Sequence, residues 1–385
     1  MAREDNRASG HTYPDATTQS QSAGSPPDPA TPETSTEPGL QHHETLRALG
    51  TWMDRTGLGA GEIDEVHELA GGTQNIMLRF RRGADRFVLR RGPQHPRERA
   101  NLTLCREMRL LRALQETDVP HARLLGACED PSVMGGTVFY LMPVINGYNA
   151  AVELSEQART DSTWRHRMGL ELIDSLASLG QLDHTAIGLS DYGRAEGFLE
   201  RQVGRWLHEL ETYSALEGYT PGRLGDLTTM ATQLERLRPK AWSPGILHGD
   251  FHIANVMFDY TQPTVAAVID WEMSTIGDPL MDLGEVLALW PQNDGSPDLL
   301  GSALSIAGGL PTADELVERY ATNTSRDLSM IDWYTAMAGF RLGIVLEGTY
   351  ARARAGLAPT AVGDRLGAIA VALLERSRER LDSLA

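Results

Sequence analysis

The sequence predicts an α+β fold in two parts, a small antiparallel sheet near the N-terminus and a large, mostly helical remainder. Three observations carry this. Short runs of branched and aromatic residues cluster between Ile63 and Arg90. From Val152 onward, apolar residues recur mainly at helical spacing. One tight hairpin, Val256–Phe258 and Val265–Ile269, interrupts that helical series. A chain of 385 residues is long enough to bury a substantial core.

Residues 1–43 are rich in Ser, Thr, Pro, Asp and Gly, with almost no large apolar side chains. Such a segment cannot offset its ordering entropy and is expected to be a disordered tail. Helical patterning begins near Glu44 with Leu46, Leu49 and Trp52. Ile63–Leu69, Ile76–Phe80 and Phe87–Arg90 read as strands, the last two joined by the turn Arg82-Gly83-Ala84-Asp85. Asn101–Glu116 carries Leu104, Met108, Leu111 and Leu114 at helical spacing, and two more strands are expected near 124–128 and 137–143. Helices follow at about 164–182, 196–214, 225–238, 280–290, 313–325, 328–355 and 360–383. The expected division is a sheet lobe over 44–145 and a helical lobe over 146–385, which is the protein-kinase-like two-lobed arrangement.

Apolar residues make up 41% and charged residues 23%, an ordinary soluble composition. The formal charge of −17 argues against a nucleic acid or an anionic membrane as partner, and it would suit a cationic substrate without requiring one. No apolar run is long enough to span a bilayer, and no charged-then-apolar leader opens the chain, so a cytoplasmic location is expected. Cys105 and Cys128 have neither metal-ligand nor redox spacing and are expected to be reduced and inert. No G-x-S-x-G elbow is present, which removes the serine-hydrolase reading.

The chemistry concentrates in His248-Gly249-Asp250-Phe251-His252-Ile253-Ala254-Asn255. Asp250 and Asn255 stand at the spacing of the kinase catalytic loop H-R-D-x-x-x-x-N, with Gly249 where that loop has Arg. The hairpin that follows ends in Asp270 and returns it to the end where Asn255 lies. There the two oxygen-bearing side chains can hold Mg²⁺ against the phosphates of ATP, while Asp250 faces an incoming hydroxyl. Each residue alone is more often a turn or a cap; their conjunction points to phosphotransfer.

On the nucleotide side, Gly71 and Gly72 lie between the first two strands, where glycines let backbone approach phosphate. The full G-x-G-x-x-G pattern is missing, and a plain hairpin turn is the competing reading. In Val88-Leu89-Arg90 the period of two puts Val88 and Arg90 on one face, with Arg90 where kinases carry the phosphate-binding Lys. Glu107 is the natural partner to orient Arg90. Arg90 reads equally as the end of a solvated basic strand, among Arg79, Arg81, Arg82, Arg86 and Arg91. Phe139–Gly147 looks like the strand and hinge between lobes, with adenine beside Met142 and its backbone partners at Val144 and Ile145. A buried core strand is the alternative there.

Together these motifs resemble the aminoglycoside phosphotransferase family, kinase-fold enzymes that phosphorylate small molecules, over about residues 45–355. The motifs that carry it are His248-Gly249-Asp250…Asn255, Ile269-Asp270-Trp271-Glu272 and Gly277-Asp278-Pro279…Asp282-Leu283-Gly284. The resemblance implies that Asp250 is catalytic, that Asn255 and Asp270 bind Mg²⁺, that His248 braces the loop, and that Asp282 accepts backbone N–H groups from it. Phe87–Pro93, Arg201–Trp206, Phe340–Ile344 and Gly348–Arg352 resemble one subgroup, the kinase domain fused to or encoded beside some acyl-CoA dehydrogenases. That narrower resemblance implies a hydroxyacyl-CoA or a related alcohol as acceptor. Arg201, Arg205, Arg341 and Arg352 are then candidates for its phosphates, or else surface salt-bridge residues. An antibiotic acceptor and a nucleotide-binding pseudokinase are the alternative functions. The sequence leaves the oligomeric state open. Arg90 in place of the kinase Lys, and Gly180 where relatives often have His, depart from the family pattern.

Overall fold

The computed structural model describes residues 40–69, 75–93, 98–292 and 295–384. The expected tail lies almost wholly outside the described residues, as do Gly71 and Gly72. The chain runs α1 (Leu40–Thr56), β1 (Ile63–Glu68), β2 (Ile76–Arg82), β3 (Asp85–Arg91), α2 (Glu98–Leu114), β4 (Gly126–Cys128) and β5 (Phe139–Pro143). It continues through β6 (Tyr148–Asn149), α3 (Glu156–Thr160), α4 (Ser162–Gln181), α5 (Gln202–Thr212), α6 (Leu227–Leu237), β7 (Gly245–Leu247), β8 (Val256–Phe258), β9 (Val265–Val268) and β10 (Thr275–Gly277). It ends with α7 (Leu280–Leu289), α8 (Ala303–Ile306), α9 (Ala313–Thr322), α10 (Ile331–Arg354) and α11 (Thr360–Leu384).

The five N-terminal strands form one antiparallel sheet in the order β1-β2-β3-β5-β4. Its two faces follow the alternation of the sequence. Leu78, Phe80, Phe87, Leu89, Phe139 and Leu141 pack under α1 through Leu49, Trp52 and Met53. Trp52 meets Phe139 edge-on at 5.0 Å between ring centroids. Gly126 is required by this packing, because a Cβ there would lie 2.6 Å from Leu58 and 2.9 Å from Trp52. The opposite face presents Val88, Tyr140 and Met142 toward α2 and the larger core.

The helical part is organised around α7, whose ten residues are all buried, and the long α10 beside it. Gly339 and Gly343, one turn apart on α10, lie against Ser377, Ala370 and Leu374 of α11 with no room for a Cβ. Their backbone cost is offset by the close approach of two long helices. Gly180 leaves no space for a side chain: a Cβ there would meet the Tyr320 hydroxyl at 2.9 Å and Pro279 at 3.1 Å.

Most expected elements fall within a few residues of the observed ones. The helix expected over 196–214 is shorter, with 3-10 turns at Leu199–Arg201 and Tyr213–Ala215 flanking α5. α1 starts at Leu40, ahead of the patterning at Glu44. Replacing Leu89, fully buried on the central strand β3, by Ala should lower the unfolding free energy by about 2–5 kcal/mol, read by chemical denaturation.

Candidate active site

The segment from β7 to β8 is held in place by hydrogen bonds from both of its flanks. Asp282, in the first turn of α7, accepts the His248 N–H at 2.7 Å and the Gly249 N–H at 2.9 Å. Burial pushes the Asp282 carboxyl up to about 6, against the pull of those two amides. Arg341 of α10 donates to the Gly249 carbonyl and pairs with Glu285 of α7, both side chains being buried. Gly249 itself has φ +82, and a Cβ there would sit 2.5 Å from the Met273 carbonyl oxygen. Both peptide groups of Gly249 are therefore fixed, which sets the direction of the next side chain, Asp250.

His248 ties this loop to the hairpin. Its Nε2 donates to the Ile269 carbonyl at 2.9 Å, and its ring packs on Trp271 at 4.7 Å. Burial pushes the imidazole down to about 4, so the ring is neutral and the proton sits on Nε2. Beside it the Ile269 N–H donates to the Asn255 carbonyl at 2.9 Å. These two bonds bring Asn255 and Asp270 to the same end of the β8–β9 pair. Asp270 takes a left-handed conformation, φ 65 and ψ 64, unusual for a residue other than glycine.

Asn255 Nδ2 donates to the Asp250 carbonyl at 2.8 Å and to Asp250 Oδ2 at 3.0 Å. Burial opposes the charge of Asp250, but His252, Arg341 and His248 outweigh it and hold the carboxyl well below its usual range. His252 Nε2 lies 3.6 Å from Asp250 Oδ2. The group is thus an ionised carboxylate, one-third exposed, at the edge of a fixed loop.

Arg90 reaches the same place from β3. Its Nε lies 3.0 Å from Glu107 Oε2 on α2, and its Nη2 lies 3.2 Å from Asp270 Oδ1. Burial lowers the stability of this guanidinium, yet Glu107, Tyr140, Asp270 and Glu272 more than compensate and raise its pKa. Burial also raises the pKa of Glu107, with Arg90 acting against it. Arg90 is therefore no solvated strand end; its side chain is buried in an ion pair that links the sheet to the hairpin aspartate.

Asp250, Asn255, Asp270, Arg90 and Glu107 converge, as their sequence pattern suggests. Val88 and Met142 are buried and pair across β3 and β5, on the face that Arg90 shares with Tyr140. Val144 is exposed just beyond β5, and the Ile145 carbonyl accepts the Gly147 N–H at 3.0 Å. The phosphate-binding expectation for Arg341 fails, and so does its surface alternative, because the side chain is buried against the loop. The signal that finds it is one Arg inside the otherwise apolar run Ala336–Ile344. Arg352 donates to the Thr349 hydroxyl, and Arg201 to the carbonyls of Arg194 and Glu196.

The donor set fits a hard divalent cation. With Asn255 Nδ2 turned to Asp250, its Oδ1 is the atom left for a metal, and Asp270, 40% exposed, keeps Oδ2 outside the contact with Arg90. Among the described residues no group of three or more His, Cys, Asp or Glu could hold an ion by itself. Mg²⁺ characteristically uses one or two protein oxygens plus phosphate oxygens.

Replacing Arg341 by Met strands Glu285 as an unpaired buried acid and should cost about 3–5 kcal/mol of stability. Combining Arg341→Met with Glu285→Met should restore most of that stability in thermal unfolding, but leave the Gly249 carbonyl unheld and turnover low. Full recovery of turnover in the double variant would contradict the bracing role of Arg341.

Comparison with known proteins agrees with this geometry. Residues 65–316 match the family model described as the phosphotransferase enzyme family. The chain is 30% identical over 297 residues to acyl-CoA dehydrogenase family member 11 of Gallus gallus, covering 74% of this chain and 36% of that protein. The chain thus spans about a third of the length of that relative. A crystal structure from Ralstonia eutropha, assigned to the aminoglycoside phosphotransferases, superposes with a TM-score of 0.73 at 27% identity, covering 88% of this chain and 98% of the other. A thermostable mutant of aminoglycoside phosphotransferase APH(4)-Ia, solved with AMP-PNP and hygromycin B, has the same fold at a TM-score of 0.53 and 14% identity, covering 85% and 98%. No helix among the described residues is long and apolar enough to cross a membrane. The matched region, the kinase-like fold and the loop geometry lead to one conclusion: the chain belongs to the phosphotransferase enzyme family.

Proposed function

We propose that this protein transfers the γ-phosphoryl group of ATP to the hydroxyl of a small molecule. The observation that carries the reading is the meeting of Asp250, Asn255, Asp270 and Arg90, drawn from a loop, a hairpin and a sheet far apart in sequence. Asp250, ionised and aimed by the clamped Gly249, orients the acceptor hydroxyl and accepts its proton as the phosphoryl group transfers. Asn255 and Asp270 hold Mg²⁺, which when bound offsets charge on the β- and γ-phosphates. Arg90, oriented by Glu107, supplies the fixed positive charge that the kinase Lys supplies elsewhere. Val88 and Met142 wall the adenine, with backbone groups of Val144 and Ile145 beside it. Closure of the 44–145 lobe on the 146–385 lobe excludes water and limits hydrolysis.

The acceptor in this reading is a hydroxyacyl-CoA or a related anionic alcohol. Two things support it: the likeness to acyl-CoA dehydrogenase family members, and the position of Arg205. This exposed arginine stacks 4.8 Å over Trp206, the ring that also lies 5.5 Å under Arg341. Its charged neighbours are Arg341, Glu209, Arg201 and Arg99, three cations to one anion on an otherwise acidic chain. A cytoplasmic location belongs to the same reading.

One observation favours a second reading, a nucleotide-binding pseudokinase: Arg90 already occupies one oxygen of Asp270, the carboxylate that the metal would need. Measuring ATP consumption over a panel of alcohols separates the two. Asp250→Ala should lower phosphotransfer by about a hundredfold to ten-thousandfold, while calorimetry shows magnesium-nucleotide affinity little changed. Near-normal turnover in that variant would remove Asp250 from the mechanism.

A further inference from the structure

The segment between α4 and α5 joins the helix that carries Glu107 to the turn that follows Asp270. It passes through Leu189 and Tyr192, buried in the same apolar cluster as Leu104, Met108 and Leu111 of α2. Arg106 of α2 lies over the Tyr192 ring, its guanidinium carbon 4.3 Å from the centroid. The same side chain donates to the Tyr192 carbonyl at 2.8 Å and to the Ser274 carbonyl at 3.4 Å. Gly193 lets the segment press against β10, since a Cβ there would lie 2.5 Å from the Ile276 nitrogen.

Two buried hydroxyls complete the link. Tyr192 and Ser274 are 1% and 4% exposed, and their hydroxyl oxygens lie 2.7 Å apart. Ser274 Oγ donates its one hydrogen to the Trp271 carbonyl at 2.6 Å, so the Tyr192 hydroxyl is the donor to Ser274. The Ser274 N–H reaches the same carbonyl at 3.1 Å. Ser274 thereby closes the turn Trp271–Met273, which starts immediately after the left-handed Asp270. The bonds at Ile269 pin the approach to Asp270, and Ser274 pins its exit. Arg106 precedes Glu107 in the chain, so the helix that orients Arg90 is fastened to that exit as well.

We propose that Tyr192 and Ser274 are positioning residues for Asp270: their hydroxyl pair holds the turn after it, and Arg106 ties that turn to the helix bearing Glu107. Asp270 and Arg90 are thereby kept at the spacing that a metal-bound phosphate needs. The consequence for ligands rests on the magnesium-nucleotide reading, but the hold on the turn is measurable in the ligand-free protein.

The test uses Tyr192→Phe and Ser274→Ala in the full chain, with Arg109→Ala as a control. Arg109 docks α2 on the same segment through the Gly188 carbonyl, at 2.8 Å, and Asp191. In the ligand-free protein, amide hydrogen exchange over Trp271–Ser274 should quicken about two- to tenfold in either variant, the size of one neutral hydrogen bond, with α10 unchanged. With ADP present, Mn²⁺ affinity read by electron paramagnetic resonance should fall by a similar factor, while adenosine affinity read by calorimetry stays the same. Combining Tyr192→Phe with Ser274→Ala should lose no more than the more affected single variant, because both cut one link. Arg109→Ala should change neither exchange at the turn nor Mn²⁺ affinity. Unchanged exchange over the turn, additive losses in the combined variant, an equal effect from Arg109→Ala, or parallel losses of adenosine and Mn²⁺ affinity would overturn the proposal. Faster exchange in the two variants of a protein that binds no Mn·ADP would leave the hold on Asp270 standing and remove the nucleotide reading.

Discussion

The peptide unit at Ile269 is the joint on which the site depends. Its carbonyl accepts the neutral His248 ring, and its N–H donates to the Asn255 carbonyl. Through these two bonds a loop that starts at β7 and a strand that ends at Asp270 become one rigid piece. Neither bond is strong by itself, each contributing on the order of 1 kcal/mol net. Their value lies in location, because His248 is fully buried and Asn255 nearly so, and losing a bond there would leave a polar group without water or partner. The left-handed backbone at Asp270 persists because the residues before it are pinned in this way.

Around that joint the charges are arranged in layers. Buried behind the loop are Asp282, Glu285 and Arg341, which hold the backbone of Gly249. Gly249 stands where the H-R-D loop has an arginine, and here a guanidinium reaches the loop from α10 instead. Next come Glu107 and Arg90, which carry the sheet's contribution across to Asp270. Only Asp250 and Asp270 keep substantial exposure, and these are the groups suited to meet a hydroxyl and a metal-bound triphosphate. An acidic chain thereby keeps the Asp250 carboxylate ionised by placing Arg341 and two histidines around it.

Much of this was legible in the sequence because it is local. The spacing of Asp250 and Asn255, the return of the hairpin to Asp270, and the alternation that puts Val88 and Arg90 on one face need no tertiary information. Pairings between distant segments were less legible. Arg341 meets Glu285 only because α10 crosses α7, and nothing in the run around Arg341 names its partner. β6, β7 and β10 have two or three residues each, too few for a periodic signal, and exist because the catalytic segment gives them partners. The burial of Arg90 follows from the seating of α2 against the sheet, so a solvated strand end was an equally fair reading of its neighbours.

The central claim is that Asn255 and Asp270 share one divalent ion beneath a bound triphosphate. Anomalous diffraction from crystals grown with Mn²⁺ and a non-hydrolysable ATP analogue tests it most directly. The account predicts a manganese peak within coordination distance of Asn255 Oδ1 and an Asp270 carboxylate oxygen, with Arg90 drawn off Asp270 toward the phosphates. A bound nucleotide with manganese elsewhere, and Arg90 still paired to Asp270, would contradict it.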